Sequence, residues 1–570
     1  MNNNKFILSL LVGLLVFCLQ ANAQISTREA PISFRYEFQD NFNREQQIPV
    51  ITMPAVDIAK LQAEDEADAK LGRPFRFGYA HSVNINLLES GHWQTLENGD
   101  RLLRLTIAAP DALSINLLYD KFWLPEGAKF FIYSNDRKHS IGAFTSANNQ
   151  GSRNDVQGFA TGLVPGSQIT LEYFLPKDAE ETGIISISTV VHGYRSILTR
   201  YGYGNVRGIG GFCQSGHCQV SINCSEGNNW QNEKRAVALI IIGGGTRTCT
   251  GFLINNVRND FTPYFLTAGH CLYCGRCGQT RDCPDCLNIS VVRRWLFLWN
   301  HEVPHNPHNP NDCNCKNFLY PQPSLTTEGA ELLARHYIGF DVDGRDFALL
   351  RLIEDPINLL SHYIVPYYLG WDRIGNRDIG GVSIHHPRGD AKKIATFNEI
   401  EHNIIRWIQT PNGHSIAESG TSGSPLINNN RHVIGVVASV SSQNCDEPQV
   451  NVAKYCKFTN AWTTGRLCRW LDPTNTVTVL NGISAPCPVP VIYFNEPFVT
   501  DDYTIVACAD IDIEGVTISN GATLTLIAGS DINVQNVTVT NNSKLILYAR
   551  GNVNLGVGFY VQLGSQFEMR

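Results

Sequence analysis

A serine, a histidine and an aspartate occur in sequence surroundings that suit nucleophilic chemistry. Ser422 lies in ESGTSGSPLIN, where Gly420 and Gly423 keep side-chain bulk away from the hydroxyl and permit torsions that aim amide N–H groups at an oxygen under attack. A serine hydroxyl is a weak nucleophile, so it needs a base to take its proton and a carboxylate to orient that base. His270 in PYFLTAGHC and Asp346 in GRDFALLRL are the candidates for these two roles.

The three residues follow one another in the order His, Asp, Ser, with 76 positions from each to the next. Chymotrypsin-like proteases have this order, whereas subtilisins and α/β-hydrolases have others. Singly, each residue has an ordinary explanation: Gly-Ser stretches are usually turns, a His beside a Cys usually packs, and an Asp before a strand is usually a cap. Together, each beside an apolar strand, they predict a serine hydrolase.

Length and composition predict a multidomain β protein around this chemistry. A chain of 570 residues is too long for one core and indicates three or four domains. A content of 43% hydrophobic residues with 48 Gly, 26 Pro and only 3 Met is typical of a turn-rich, largely β protein. The net charge of −7 and the lack of long basic runs argue against a nucleic-acid partner.

The amino-terminal residues 1–23 predict a signal peptide. A lysine precedes the apolar run at positions 6–19, and Ala21-Asn22-Ala23 suits cleavage before Gln24. No later apolar stretch reaches membrane-spanning length, so we expect a secreted or cell-surface protein. Removal of Cys18 leaves 16 of the 17 cysteines, and in an oxidising compartment we expect all of them to pair, with no free thiol.

Residues 24–212 predict a pro-region. Within it, residues of about 74–191 form short alternating strands separated by turns, which is typical of a β-sandwich, and the charged segment 60–70 predicts a helix. A structural or inhibitory pro-segment is the first interpretation and a binding module the second. The Gly- and Arg-rich segment that follows predicts exposed, flexible chain, so we expect the mature enzyme to begin between about Arg207 and Cys218.

Residues 213–478 predict the protease domain, and most of this stretch resembles the secreted trypsin-like proteases of the lysyl endopeptidase group. The resemblance rests on CTGFLIN with PYFLTAGHC, on DFALLRL, on SIHHPRGDAKKI, on GTSGSP and on the closing WLDP. It implies a chymotrypsin-like double β-barrel with the triad in the cleft between the barrels. It also implies that the Gly420 and Ser422 amides form the oxyanion hole.

The same resemblance implies a set of disulfides. It pairs Cys249 with Cys271 and Cys218 with Cys445, and it joins Cys224 to a cysteine in the region 274–315.

One position departs from the digestive trypsins. They place an aspartate just before the nucleophile, where it receives the new amino terminus, but this chain has Thr421. A threonine cannot form that ion pair. We therefore expect activation to depend on removal of the pro-segment and not on burial of a new ammonium group.

The insertion CLYCGRCGQTRDCPDC contains two Cys-x-x-Cys pairs, a spacing also seen in zinc ribbons. In a secreted chain with further cysteines at 313 and 315, a disulfide-linked loop is favoured over zinc. The neighbouring His-rich stretch contains Pro and Asn and predicts a loop with solvated histidines. We expect neither a metal nor a cofactor.

Substrate specificity is expected to differ from that of the resembled group. Lysyl endopeptidases hold the substrate lysine with an aspartate, whose position in VNVAKYCKF is Ala453. A buried ammonium without a partner is costly, so strict lysine preference should be lost. Ile416, Val440 and Ala453 would line a shallow apolar pocket for small or medium aliphatic side chains. Glu418 also maps near the pocket and, if turned inward, would favour basic side chains.

Residues 479–490 predict a linker and residues 491–570 a β-solenoid. The stretch beginning at Val516 matches the one beginning at Val537, an offset of 21 residues, and alternating apolar residues suit stacked coils with one shared core. It resembles stacked-coil modules that follow secreted bacterial enzymes. A structural role is favoured over contact with a cell surface or glycan.

The combined prediction is a secreted serine endopeptidase made as a precursor, acting as a monomer on protein or peptide substrates. The main alternative is a non-catalytic adhesin or binding protein on a protease fold, which the complete triad disfavours. An esterase is a weaker alternative because Ser422 does not lie in a G-x-S-x-G elbow.

Overall fold

The computed structural model describes residues 30–34, 48–70, 73–197, 214–242, 244–272, 289–303, 325–337, 345–357, 365–374, 380–397, 415–440, 445–446, 453–487, 491–495, 497–499, 503–549 and 551–569. The predicted signal peptide, positions 198–213 and most of the cysteine-rich insertion lie outside these ranges. Inside them, no helix is both long enough and apolar enough to cross a membrane.

Two mainly antiparallel sheets form the predicted β-sandwich. The first contains the strands Val50–Thr52, His92–Thr95, Arg101–Ala108, Lys129–Ser134, Ser140–Phe144 and Gln168–Leu175. The second contains Gly78–Asn86, Ser114–Trp123, Phe159–Ala160, Val164–Pro165 and Ile184–Gly193. Because side chains alternate between the faces of a strand, one face of each sheet contributes to a common core, as Leu103 and Leu105 do from one sheet and Ile115 and Leu117 from the other.

The first half of the protease domain is an eight-stranded sheet. Its strands are Phe75–Arg76, Val237–Ile242, Arg247–Leu253, Tyr264–Thr267, Leu296–Trp299, Leu325–Glu328, Ala330–His336 and Phe347–Leu352. All but the first come from the predicted protease domain. Phe75–Arg76 belongs to the predicted pro-region and pairs antiparallel with Arg247–Leu253.

The second half is another eight-stranded sheet. Its strands are Val220–Ser221, Gly370–Asp372, Gly381–His385, Lys393–Phe397, Pro425–Asn428, His432–Val440, Ala453–Lys457 and Val479–Leu480. A small additional pair joins Tyr367–Tyr368 to Ile483–Ser484. Apolar residues of both halves, such as Phe265 and Ile427, lie in one continuous core, as two packed barrels require.

Helices are short. The α-helices are Ile58–Lys70, Leu87–Ser90, Phe458–Gly465 and Cys468–Leu471, and the 3-10 helices are Ile32–Phe34, Ser146–Asn148, Ser225–Trp230, Glu233–Ala236, Gly269–Leu272, Ile289–Arg294 and Pro387–Gly389. The helix Ile58–Lys70 confirms the one predicted from the charged segment at 60–70. The last α-helix ends before Asp472-Pro473, because proline cannot continue a helix.

The carboxy-terminal region is the predicted β-solenoid, built from three parallel sheets. Their strands are Val491–Phe494, Asp510–Glu514, Ile532–Gln535 and Val553–Leu555; Phe498–Val499, Thr517–Ile518, Thr538–Val539 and Tyr560–Val561; and Tyr503–Ala507, Thr523–Ala528, Lys544–Ala549 and Gln566–Met569. Ile511 pairs with Ile532 and Leu524 with Leu545, which confirms the 21-residue offset. Alternate apolar residues of all coils fill one core.

The disulfides confirm two predicted pairs and correct one expectation. Cys249–Cys271 and Cys218–Cys445 are formed, and Cys224 is also disulfide-bonded. A further disulfide, Cys487–Cys508, joins the predicted linker to the solenoid. Cys468 is a thiol, so the expectation that every cysteine pairs is wrong.

Candidate active site

His270 and Asp346 are brought together by two neighbouring strands. His270 lies in the 3-10 turn that follows Tyr264–Thr267, and Asp346 immediately precedes Phe347–Leu352. These strands pair antiparallel, with Thr267 opposite Ala348, so the end of one lies beside the start of the other. Sequence patterns indicated both strands, and the pairing sets the two side chains at the same edge of the sheet.

Asp346 holds His270 through both carboxylate oxygens. Oδ2 lies 2.6 Å from the imidazole Nδ1, and Oδ1 accepts a hydrogen bond of 2.9 Å from the His270 backbone N–H. Both side chains are buried. Because an ionised carboxylate only accepts hydrogen bonds, Nδ1 carries the proton, and Nε2 is then the nitrogen with the lone pair. This tautomer suits a general base.

Ser422 lies in a tight turn that ends in the strand Pro425–Asn428. The Thr421 N–H donates to the Glu418 carbonyl, and the Ser424 N–H donates to the Thr421 carbonyl. Gly420 and Gly423 have φ of +97° and +89°, values that side chains disfavour. The small residues of the motif are therefore required by the backbone path.

The nucleophile turn is fixed against the strand next to the histidine strand. The Thr250 N–H donates to the Ser422 carbonyl at 2.8 Å, and the Thr250 hydroxyl donates to the Gly420 carbonyl at 2.8 Å. Thr250 lies in Arg247–Leu253, whose partner strand leads into His270. A side chain on Gly423 would collide with Thr250 and Thr267, so glycine permits the close approach. This packing brings Ser422 to the His270 side of the domain.

The loop 386–390 supports the other side of the nucleophile turn. The Arg388 N–H donates to the Ser419 carbonyl at 2.6 Å. A Cβ on Gly420 would approach the Arg388 nitrogen and the His386 carbonyl within 2.9 Å, so these backbones are in close contact. Gly420 contributes one of the two amides expected in the oxyanion hole, and this loop therefore restrains its orientation.

A buried cluster of charged side chains lies beneath that loop. Glu302 accepts from Lys234 Nζ at 2.7 Å and lies 3.4 Å from Lys392 Nζ. Lys392 Nζ also donates to the Lys234 carbonyl at 2.8 Å. The Lys392 N–H donates to the His301 carbonyl, and His301 Nε2 lies 3.3 Å from the Gly389 carbonyl. The cluster thus contacts the supporting loop at Gly389.

Burial and charge set the pKa values of this cluster. Burial lowers the pKa of Lys392 to about 8, although Glu302 opposes the shift. Burial alone would raise the pKa of Glu302, but the ammonium groups of Lys234 and Lys392 outweigh it and lower that pKa to about 2. Burial lowers the pKa of His301 to about 4. At neutral pH, Glu302 is therefore ionised and His301 neutral.

The four predicted pocket residues lie close to the nucleophile turn in sequence or in the adjoining sheet. Ile416 and Ala453 are buried, and Val440 is half-buried and opposite Ala453 across two paired strands. Val440 and Ala453 pack in one apolar cluster. Their role in a specificity pocket stays a prediction.

Glu418 is directed to partners within the protein. Its carboxylate accepts from the Gly216 N–H at 2.9 Å and from Gln219 Nε2 at 2.8 Å, and it lies 2.8 Å from Arg388 Nε. Burial raises the pKa of Glu418, and Arg388 opposes that shift. Arg388 lies in the motif SIHHPRGDAKKI, but the local sequence does not indicate this contact because its partner lies 30 positions further along the chain.

One group of three potential metal ligands occurs among the described residues, and its chemistry does not suit a metal. Cys249, His270 and Cys271 have ligand atoms within 4.8 Å of one another. The two sulfurs are joined to each other as a disulfide, however, and a metal requires thiolates. The cysteines at 274–286 lie outside the described residues, so the preference for disulfides over zinc there stays a prediction.

Two family models and one curated protein show similarity to parts of this chain. The family described as "Lysyl endopeptidase, C-terminal domain" matches residues 212–455, and "Lysyl endopeptidase N-terminal domain" matches residues 50–193. A curated protein named lysyl endopeptidase, from Pseudomonas aeruginosa PAO1, is 26% identical over 282 residues, covering 46% of this chain and 52% of the relative. The chain thus spans about half the length of the curated relative that it matches.

Two solved structures share weak similarity with part of the chain. A thermostable serine protease, AL20, from an extremophilic microorganism is 12% identical with a TM-score of 0.27, covering 43% of this chain and 100% of the other. An inactive mutant of Rv3671c from M. tuberculosis H37Rv is 15% identical with a TM-score of 0.22, covering 43% and 90%.

Proposed function

The chain belongs to the lysyl endopeptidase group of serine endopeptidases, and from this premise we propose that it is a secreted enzyme that cuts peptide bonds with a triad of His270, Asp346 and Ser422. The observation that carries the proposal is the double contact of Asp346 with the His270 backbone and ring. That contact orients the imidazole and fixes its tautomer, which is what a general base next to a serine requires.

In the proposed mechanism, Ser422 attacks the carbonyl carbon of the scissile bond while His270 removes the hydroxyl proton. The Gly420 and Ser422 amides stabilise the oxyanion, and His270 then returns the proton to the leaving amine. Water hydrolyses the resulting acyl-enzyme by the same route in reverse. Asp346 stays ionised throughout and stabilises the imidazolium that forms at each step.

The proposed substrates are proteins or peptides with a small or medium aliphatic side chain before the cut bond. Ile416, Val440 and Ala453 are apolar, and Ala453 stands where the resembled group has its lysine-binding aspartate. The Glu418 carboxylate is already paired with Arg388. A substrate ammonium would thus find no free carboxylate among these four residues, and its burial would be unfavourable.

We further propose that the enzyme is made as a precursor and reaches the outside of the cell through the signal peptide at 1–23. Cleavage between about Arg207 and Cys218 would release the protease domain from its covalent link to the pro-region. Sequencing of the amino terminus of the purified active protein tests this, and an active enzyme that begins at Gln24 would contradict it.

The triad is tested by labelling with a fluorophosphonate probe and by turnover measurements. We expect labelling of the mature protein, loss of labelling in Ser422→Ala, and retention in Ser225→Ala, an exposed serine far from the motif in sequence. Ser422→Ala, His270→Ala and Asp346→Asn should each lower turnover by at least ~10³-fold, and the combined variants should be little worse than the singles. Labelling that persists in Ser422→Ala would contradict the assignment.

Specificity is tested separately with a peptide library whose products are read by mass spectrometry. We expect cleavage after small aliphatic residues, and a gain for lysine in Ala453→Asp. Cleavage chiefly after Lys or Arg in the wild-type enzyme, or no gain for lysine in the variant, would show that Ala453 does not line the pocket.

A further inference from the structure

The predicted pro-region and the first barrel share a sheet. The strand Phe75–Arg76 pairs with the start of Arg247–Leu253, with Arg76 opposite Arg247 and Phe75 opposite Thr248. The Phe77 N–H continues the contact by donating to the Thr246 carbonyl at 2.9 Å. Main-chain pairing of this kind is how proteins bind an added strand at a sheet edge. The pro-region therefore completes this edge of the barrel.

The outer face of the first barrel is apolar at the same place. In Val237–Ile242, Ile240 and Ile242 point into the barrel core, whereas Leu239 and Ile241 lie in a different cluster on the opposite face. On the paired strand Leu296–Trp299, Leu296 and Leu298 belong to this same outer cluster. A protease domain without the pro-region would expose these four side chains as one patch.

Side chains of the pro-region cover that patch completely. Phe77, Leu118, Ala160, Leu163 and Ile197 join Leu239, Ile241, Leu296 and Leu298 in one buried cluster. Phe77 is fully buried there and does not belong to the sandwich core. Its burial thus depends on contact between the two domains.

Polar contacts surround the apolar cluster. Arg247 is almost fully buried and donates to Asp68 Oδ2 at 2.5 Å and to the Pro74 carbonyl at 2.7 Å. The Ala160 N–H donates to the Glu328 carboxylate. An apolar centre with polar contacts around it is the organisation of a stable protein interface.

We propose that the sandwich is a permanent subunit of the mature enzyme, remaining bound to the outer face of the first barrel after the connecting chain is cut. The contacts named above involve strands and side chains other than His270, Asp346 and Ser422. The sandwich thus stabilises the barrel that carries His270 and Asp346. On this proposal, activation requires the cut in the connecting chain and not the loss of the sandwich, which differs from the removal of the pro-segment expected from Thr421.

The chain itself simplifies the test. No cysteine lies between Cys18 and Cys213, so a cut within residues 198–213 leaves a sandwich fragment that no disulfide can hold to the rest. The proposal rests on the proposed function only in supposing such a cut. Using Ser422→Ala and an added site-specific protease, with its recognition sequence placed at 198–213, makes the outcome independent of catalysis.

After cutting, we expect the two fragments to co-elute in size-exclusion chromatography and to stay together on dilution to nanomolar concentration. Phe77→Asp should weaken the association by about 100-fold or more, because a carboxylate would enter an apolar cluster. The matched control is Tyr79→Asp, two residues further along the chain. Tyr79 is 42% exposed, so this substitution should leave the association unchanged. Circular dichroism of the released fragment checks that the sandwich is folded.

A second variant acts from the barrel side. Arg247→Ala removes the contacts to Asp68 and Pro74 and should weaken the association by about tenfold. The proposal is overturned if the wild-type fragments separate at micromolar concentration, or if Phe77→Asp and Tyr79→Asp associate equally well.

Discussion

Two buried acidic sites in the protease domain differ in how their charge is balanced. Glu302, beneath the loop that supports the nucleophile turn, lies between the ammonium groups of Lys234 and Lys392. Glu328, at the border with the sandwich, has a second carboxyl as its neighbour, since the Glu328 N–H donates to Glu354 Oε2 at 2.7 Å. Both sites are buried, but the first has two ammonium groups within 3.4 Å of its carboxylate, whereas the second has another carboxyl group as its neighbour.

The difference shifts the two pKa values in opposite directions. Burial raises the pKa of Glu328 well above its usual value, and repulsion from Glu354 adds to this, while the Ala160 N–H, Gln150 and Arg294 oppose it. Burial also raises the pKa of Glu354 well above its usual value. Tyr119, whose pKa burial raises, faces Glu328 as well. Burial alone raises the pKa of a carboxyl group, and at Glu302 the two neighbouring ammonium groups reverse that shift.

The largest expected effect comes from removing the negative charge of Glu302. Glu302→Gln leaves the buried ammonium groups of Lys234 and Lys392 without a carboxylate and should lower the free energy of unfolding by about 3–5 kcal/mol. Urea denaturation at neutral pH measures it. The matched control is Glu331→Gln, which removes an exposed pair with Arg351 and should cost less than about 1 kcal/mol. Equal losses would contradict the comparison.

A second prediction concerns acid. The pKa of His301 is about 4 in the fold, below its unfolded value, so the unfolded chain binds the proton first as the pH falls. Stability should drop by on the order of 3 kcal/mol between pH 6.5 and pH 4 from this residue.

Urea denaturation at pH 7, 5.5 and 4 provides the measurement. His301→Gln should flatten the profile over this range, whereas His217→Gln, an exposed histidine, should not. An unchanged profile in His301→Gln would mean that this site does not set the acid sensitivity.

The smallest expected effect concerns Glu328, whose contribution to stability should fall as the pH rises, whereas that of His301 falls as the pH drops. The pKa of Glu328 is raised in the fold, so the stability that it contributes is complete below the unfolded pKa and is lost as the pH rises through the folded one. Glu328→Gln can still accept from Ala160 and should lie within about 1 kcal/mol of the wild type at pH 5.

At pH 9 the same variant should be more stable than the wild type, as urea denaturation of the precursor can measure. Glu331→Gln again serves as the control. A variant that is less stable than the wild type at both pH values would show that Glu328 is ionised in the fold.

The sequence predicted the parts of the site that depend on local pattern. Each proposed triad residue adjoins a strand whose apolar residues are recognisable, and the glycines around Ser422 mark a backbone that only small residues allow. The solenoid was also predictable, because its register repeats along the chain. In each case the sequence pattern that supports the prediction lies in the same strand or turn as the residue, or in the adjoining one.

The rest depends on contacts between distant positions. Arg388 contacts Glu418 and Arg76 contacts the Arg247 strand, and no local pattern indicates either. The expectation that all cysteines pair was wrong for Cys468, because an even number of cysteines does not require that each one forms a disulfide. The domain boundaries and the maturation site stay predictions.

The Cys487–Cys508 disulfide makes the two ends of the solenoid differ in their resistance to a pulling force. Coils are joined by hydrogen bonds between parallel strands, so tension applied from the carboxy-terminal side would open the stack one coil at a time. Each opened coil of 21 residues would release about 70 Å of chain. The disulfide joins residues 487 and 508 covalently, so the segment between them could not be extended by this load and would stay closed after the later coils have opened.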